Sequence, residues 1–299
     1  MRTLHTLILS TVAAAALTAC GGGSDASAPA AAAAAATTPT AGAAVTLASV
    51  ADTPFPGAAP TATLTATQAS ADALKAEVAA AFTASQKTAA SASLSKRVGF
   101  LSASADTNGL ERTQEVVDGE CALGGTLDSE LPIANLSKPA IGTTYNFTFN
   151  KCKNGTSTDS IEVNGKWTVN FSRYASESDA AFVAIFNGLT LATKTDTVTV
   201  NGGYKCDLTA KLQSCALSDG TRGWDTSLTY TNGVLNGTYA TKYGDGTVTV
   251  KYVNYSDTSG TATITGKAPT KTVITRTTVG GAVGLKIEIT DATGKVTMF

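Results

Sequence analysis

The chain has 299 residues, with 22 Lys and Arg against 23 Asp and Glu and a formal net charge of −1. Such a balance lacks the basic surface that neutralises nucleic-acid phosphates, so we expect no nucleic-acid partner. The single histidine is His5. The chain after residue 5 therefore contains no imidazole group. A Ser-His-Asp or Cys-His catalytic set requires one, and so does a zinc site with histidine ligands.

The N-terminus has the order of an export signal. Arg2 precedes a largely apolar run from Leu7 to Leu17, and small residues then lead to Cys20. The apolar run is about half of the roughly 20 residues that a helix needs to cross a bilayer. We therefore predict that residues 1–19 are a removable signal peptide. Removal of Arg2 leaves 21 basic against 23 acidic residues, a balance of −2.

The sequence Leu17-Thr18-Ala19-Cys20 resembles the lipobox of bacterial lipoproteins, those of proteobacteria in particular. The resemblance implies cleavage before Cys20 and attachment of a diacylglyceryl group and an N-acyl chain, such as palmitate, to that residue. Membrane lipid is then a partner, because each buried methylene group contributes about 0.8 kcal/mol. Gly21 stands where Asp would resemble an inner-membrane retention signal. The resemblance therefore implies the outer membrane, with the folded part facing the periplasm or the cell surface.

Four cysteines follow Cys20, and an even number in an exported chain predicts disulfide bonds. Three connectivities are open to four cysteines. We predict sequential pairing because each pair then lies within one local group of predicted strands. A redox-active or metal-binding pair is the less favoured alternative because no Cys-x-x-Cys spacing occurs. We predict no cofactor and no metal site. The predicted disulfides are Cys121 with Cys152 and Cys206 with Cys215.

Composition divides the rest of the chain into three parts. Residues 20–65 carry the lipidated cysteine and then mostly Ala, Gly, Ser, Thr and Pro, which favours a disordered tether. Residues 66–110 contain one predicted helix, from about Thr67 to Lys87, followed by a connector. Thr65 and Gln68 suggest a capping box for that helix. Its apolar stripe predicts packing against the following domain, with a partner-binding helix as the alternative; the stripe consists of Leu74, Val78 and Phe82.

Residues 111–299 change to short alternating runs of Thr, Val, Tyr and Phe, separated by Asn-Gly and Asp-Gly dipeptides. Alternation flanked by such dipeptides predicts β-hairpins. We predict a mainly β domain: an antiparallel meander that forms a curled sheet, a half-barrel or a barrel, or splits into two packed layers. The segment also resembles β-rich regions of uncharacterised proteobacterial lipoproteins through Gly124-Gly125-Thr126 and Phe149-Asn150-Lys151-Cys152. That resemblance implies no activity.

Aromatic and acidic residues supply the remaining candidates for a site. Trp167 and Trp224 either pack in the core or form stacking platforms for a sugar or another flat ligand. Glu177 and Asp179 fall far short of the six to eight oxygen ligands that Ca²⁺ takes, so a solvated loop is the favoured interpretation.

Two functional hypotheses follow, and we assign no catalytic residue in either. The first is a noncatalytic, lipid-anchored envelope protein whose β-domain has a binding or structural role and binds an apolar ligand, a glycan or another envelope protein. The second is a hydrolase that acts on glycans through two of the acidic residues.

Overall fold

A computed structural model describes residues 45–98, 121, 123–129, 139–155, 160–176, 179–194, 197–209 and 213–299. The predicted signal peptide and Cys20 lie outside these residues. The described helices are α1 (Leu47–Asp52) and α2 (Gln68–Val98). The strands are β1 (Thr126–Ser129), β2 (Thr144–Gly155), β3 (Ser160–Ser176), β4 (Asp179–Ala192), β5 (Thr197–Leu208), β6 (Gln213–Ser218), β7 (Arg222–Trp224), β8 (Thr229–Thr231), β9 (Val234–Tyr243), β10 (Gly246–Tyr255), β11 (Gly260–Thr265), β12 (Lys271–Val279), β13 (Ala282–Thr290) and β14 (Val296–Met298).

The strands form one 14-stranded antiparallel sheet whose order follows the chain. The one departure is β8, which pairs only with β9, so β7 and β9 are neighbours in the sheet. The sheet curls into a partial ring with β1 and β14 at its two ends. The predicted mainly β, antiparallel and curled meander is therefore confirmed.

Glycines inside the strands explain the curl. Of the Asn-Gly dipeptides that predicted turns, Asn232-Gly233 does form one, between β8 and β9. Four others lie inside strands, where Gly165, Gly188, Gly202 and Gly237 have positive φ. The register shifts beside Gly165 and again between Phe186 and Leu189. The prediction of turns there was wrong because a glycine with positive φ also permits a β-bulge, which bends a strand without ending it.

Helix α2 packs on one face of the sheet, which we call the inner face, mainly against β5, β6 and β8. It begins with Thr67 as N-cap, since the Ser70 amide donates to the Thr67 hydroxyl. The predicted capping box is wrong, because the Gln68 side chain donates to Asp72 instead. The buried positions follow helical spacing, as the predicted packing against the β-domain requires. They are Ala71, Leu74, Val78, Ala81, Phe82, Ser85 and Ala89.

Helix α1 packs on the opposite, outer face, although the sequence predicted a disordered tether up to residue 65. Val50 is fully buried and lies against Gly203, where a Cβ atom would collide with it. The amides of Thr61 and Ala62 then donate to the Thr247 carbonyl at the end of the β9–β10 hairpin. The tether prediction is therefore wrong for residues 45–65. Their few apolar side chains are enough to hold this segment on the sheet, because small residues of the sheet allow its backbone to approach closely.

Both disulfides have the predicted sequential connectivity. Cys121–Cys152 ties the segment before β1 to β2, and Cys206–Cys215 joins directly opposed residues of β5 and β6. Their sequence separations are 31 and 9 residues. In the chain-entropy model, loops of these lengths contribute about 3.5 and 2.5 kcal/mol to stability. The bonds thus fasten the first two strands and the middle of the sheet.

Candidate functional site

The inner face of strands β2 to β5 carries a continuous row of aromatic side chains. Alternate residues of a strand point to the same face, so the alternation seen in the sequence places these rings together. Within the row, Phe147 and Trp167 stack with ring centroids 4.9 Å apart. We call this row the aromatic face. It consists of Tyr145, Phe147, Phe149, Trp167, Phe171, Phe182, Phe186 and Tyr204.

The aromatic face becomes partly accessible near the C-terminal end of β3 and the start of β4. Phe171 is buried there, whereas Phe182 and Tyr174 are only half-buried. The Phe171 ring centroid lies 5.5 Å from that of Phe182 and 5.8 Å from that of Tyr174. Rings at these distances pack against one another. This end of the row therefore combines a buried apolar floor with partly open rings.

Tyr204 lies behind Phe182, with ring centroids 5.9 Å apart. Its side chain is 3% exposed, and its hydroxyl has no hydrogen-bond partner among the described residues. Burial raises the pKa of this hydroxyl, so it is protonated and able to donate. A buried polar group without a partner costs about 1 to 3 kcal/mol. A ligand atom that accepted this hydrogen bond would recover that free energy.

The Cys206–Cys215 disulfide extends the apolar lining beyond the aromatic face. Cys206 is buried and lies directly opposite Phe182 across the β4–β5 pair. Leu208, two residues further along β5, is buried on the same face. The disulfide fixes β6 beside this surface, so the lining is held by a covalent bond as well as by the strand hydrogen bonds.

A buried ionic cluster ties α2 to β7 of the sheet. Arg222 of β7 is buried; its Nε and Nη2 donate to the two carboxylate oxygens of Glu77 in α2, at 2.7 and 3.0 Å. Its Nη1 donates to Asp219 at 3.1 Å. Burial by itself would lower the pKa of Arg222, but the hydrogen bonds and charge of Glu77 and the charge of Asp219 raise it. The Tyr252 hydroxyl adds a hydrogen bond of 2.7 Å to the Val78 carbonyl. Helix α2 is therefore held by directed bonds in addition to apolar packing.

Lys205 performs a similar docking role on the outer face. Its ammonium group donates to the carbonyls of Ala51 and Thr53 at the C-terminal end of α1. It also lies 4.2 Å from the centroid of the Phe55 ring. Burial lowers the pKa of Lys205, while the nearby charge of Asp52 opposes that shift. A cation at a helix C-terminus is favourable, so Lys205 anchors the chain where it leaves α1.

The structure places both tryptophans and one of the two acidic residues that the sequence offered as site candidates. Trp167 and Trp224 are both buried in the core, so neither is an exposed stacking platform. Trp224 packs on Tyr239 with ring centroids 4.6 Å apart. Asp179 accepts a hydrogen bond of 2.9 Å from Arg173. Glu177 lies outside the described residues.

Two pairs of carboxylates meet in the described part of the chain, and each pair shares one arginine. Arg173 binds Asp179 and Asp207, and Arg222 binds Glu77 and Asp219. A two-carboxylate hydrolase needs one group to protonate the leaving oxygen and the other to act as base or nucleophile. In both pairs the two carboxylates bind the same arginine, so nothing marks one as the acid and the other as the base or nucleophile.

Sequence reasoning did not identify Tyr204, Phe182 or Tyr174 as a group. They lie on three different strands, and only the pairing of β3 with β4 and β4 with β5 brings them together. The alternation of apolar residues places them on one face of each strand. The register between strands, which selects neighbours on that face, depends on bulges that the Asn-Gly dipeptides did not reveal.

Within the described ranges, no group of three or more His, Cys, Asp or Glu side chains is arranged to hold a metal ion. No helix in the same ranges is long and apolar enough to cross a membrane. No protein-family model, no curated protein and no solved structure matches this chain.

Proposed function

We propose that this chain is a lipid-anchored protein of the bacterial outer membrane whose β-domain binds an apolar ligand without catalysis. The lipobox-like sequence ending at Cys20 supports the anchor and the location. The observation that carries the binding role is the aromatic face, with half-buried Phe182 at its open end and the unpartnered Tyr204 hydroxyl behind it. Concave, mostly apolar surfaces with a few directed polar groups are typical of small-molecule sites.

The chemistry of the site favours an apolar molecule over a glycan. Sugar recognition commonly stacks the ring on an exposed aromatic face, yet the chain's two tryptophans are buried. Phe182 and Tyr174 instead continue directly into a buried apolar floor. Each methylene group that a ligand buried there would contribute about 0.8 kcal/mol. We infer a ligand with an extended or flat apolar body and one hydrogen-bond acceptor that reaches Tyr204.

Photo-cross-linking in intact cells tests this proposal. p-Benzoylphenylalanine in place of Phe182 keeps an aromatic ring at the open end of the aromatic face. After irradiation, we expect mass spectrometry to find a discrete adduct of low molecular mass at residue 182. Combining this change with Tyr204→Phe should reduce the adduct at least threefold, because the ligand loses its only directed hydrogen bond to the buried end of the site.

The matched control places the same photoreactive residue at Val253, an exposed position of β10 on the outer face. No discrete adduct is expected there. Equal adducts at residues 182 and 253, or cross-links from residue 182 only to other proteins, would contradict a small apolar ligand at the aromatic face.

A further inference from the structure

The β12–β13 hairpin projects beyond the rest of the sheet as an arm, which we define as residues 277–286. Arg276 is opposite Gly260, the first residue of β11, so the arm extends past the end of its neighbouring strand. All its side chains are exposed. Three of them are large and apolar, with exposed fractions of 77% for Val279, 50% for Val283 and 37% for Leu285. Apolar groups clustered on a projecting element mark an interaction surface.

The arm also has an open backbone edge. Ile287 donates to and accepts from Phe299. Backbone groups of a strand alternate in direction, so the N–H and C=O groups of Val283 and Leu285 point to the same side as those of Ile287. The pairing of β13 with β14 covers only residues 288–290. No described strand therefore covers the edge beside Val283 and Leu285.

The open backbone edge favours a protein strand over a lipid surface as the partner of the arm. Insertion of the arm into hydrocarbon would leave these backbone groups without hydrogen-bond partners, because lipid tails offer none. A further β-strand would satisfy all of them and would also cover the apolar side chains. The arm is thus suited to receive a strand.

We propose that the strand is the same arm of a second copy of this chain, paired antiparallel about a two-fold axis at Gly284. Val283 of each copy then lies opposite Leu285 of the other, and these two pairs exchange four backbone hydrogen bonds. Lys286 lies opposite Ala282, so no like charges oppose each other. An antiparallel edge is complementary to itself under two-fold symmetry, which is why a second copy fits without any other change in the sheet.

Gly284 gives a direct test, because the two Gly284 residues form the non-hydrogen-bonded pair at the axis. Cα atoms in such a pair are about 4.5 Å apart, within the disulfide range of about 4.4 to 6.8 Å. A Cβ atom on Gly284 would meet nothing closer than Thr277 atoms at 3.7 Å, so Gly284→Cys is tolerated. We expect the full-length Gly284→Cys protein, oxidised mildly in its membrane, to form covalent dimers.

The control is Lys251→Cys, an exposed position in the middle of the sheet. Gly284→Cys should give at least tenfold more dimer than this control, and the unsubstituted protein reports any background from Cys20. Val283→Pro in the Gly284→Cys protein should abolish the dimer, since it removes an N–H group that points out of the edge while leaving the β12 bonds intact. If the proline variant does not fold, Val283→Lys provides the same test through charge repulsion.

Dimer formation by Gly284→Cys at or below the level of Lys251→Cys, in protein with both native disulfides intact, would overturn the proposal. A monomeric Gly284→Cys protein whose new thiol is shielded from an aqueous maleimide only in membranes would also overturn it, in favour of lipid insertion. Failure of the photo-cross-linking experiment at residue 182 would leave this proposal untouched, because the arm lies outside the aromatic face.

Discussion

Replacing Arg222 by methionine should lower the free energy of unfolding by about 3 to 5 kcal/mol, because it leaves the Glu77 carboxylate without its guanidinium partner in a largely water-excluded site. Asp219 would also lose a hydrogen bond. Urea unfolding, followed by tryptophan fluorescence, measures the change. Both tryptophans are buried, and the Trp224 indole N–H donates to Asp219 at 3.4 Å, so the signal reports on this region.

Arg173→Met is the matched control because Arg173 also binds two carboxylates. Its side chain is 41% exposed, however, and an ion pair exposed in this way contributes little. We therefore expect a much smaller change for Arg173→Met. If the two variants unfolded at the same urea concentration, the buried cluster would not be what holds α2 on the sheet.

Alkaline pH should unfold the domain steeply, and the cause is a set of buried tyrosines. Burial raises the pKa of the hydroxyls of Tyr204, Tyr239 and Tyr252 above the unfolded value of about 10. A group whose folded pKa is raised contributes stability that is fully present below the unfolded pKa and is lost as pH rises towards the folded pKa. Each tyrosine then costs about 1.4 kcal/mol per pH unit above 10, so three cost about 4 kcal/mol per unit.

Lys205 has the opposite effect at lower pH. Its pKa is lowered by burial, so stability increases slightly as pH rises from the folded pKa to the unfolded value of about 10.4. The steep loss should therefore begin only above pH 10, after this small gain is nearly complete.

Absorbance at 295 nm, recorded as pH is raised, tests the tyrosine prediction. Three of the eight tyrosines should ionise only when the domain unfolds. Tyr204→Phe should reduce the pH dependence of the unfolding free energy by about 1.4 kcal/mol per pH unit. Ionisation of all eight tyrosines near pH 10, with native tryptophan fluorescence retained, would contradict the burial of these hydroxyls.

The sequence predicted the class of fold because alternation and turn dipeptides are local signals. The disulfide pairing was predictable for the same reason, since each cysteine pair lies within a few neighbouring strands. The curl could not be predicted in detail. It depends on register shifts beside Gly165 and at Gly188, and an Asn-Gly dipeptide has the same appearance in a bulge as in a hairpin turn.

The packing of residues 45–65 was not predictable from their composition. Their own apolar content is low, and the stabilising partners are small residues far along the chain. A Cβ atom on Gly203 would collide with Val50, and one on Gly223 would collide with the Pro54 carbonyl. The site was missed for a related reason: Tyr204 and Phe182 become neighbours only through strand register.

The two faces of the sheet hold different elements. Helix α1 and Lys205 meet on the outer face, whereas α2 and the aromatic face share the inner face. Arg222 and Tyr252 fix α2 on the inner face, where it lies mainly against β5, β6 and β8. The aromatic side chains on β2 to β4 lie beyond these contacts, and we propose them as the binding surface.

Mass spectrometry of the full-length protein extracted from membranes tests the central claim most directly, since one sample reports the acyl mass on Cys20 and any apolar molecule that copurifies. We predict a triacylated Cys20, two disulfides and one bound apolar molecule, which Phe182→Asp should remove while the disulfides stay intact. An unmodified N-terminus would contradict the anchor, and equal ligand content in the two proteins would contradict binding at the aromatic face.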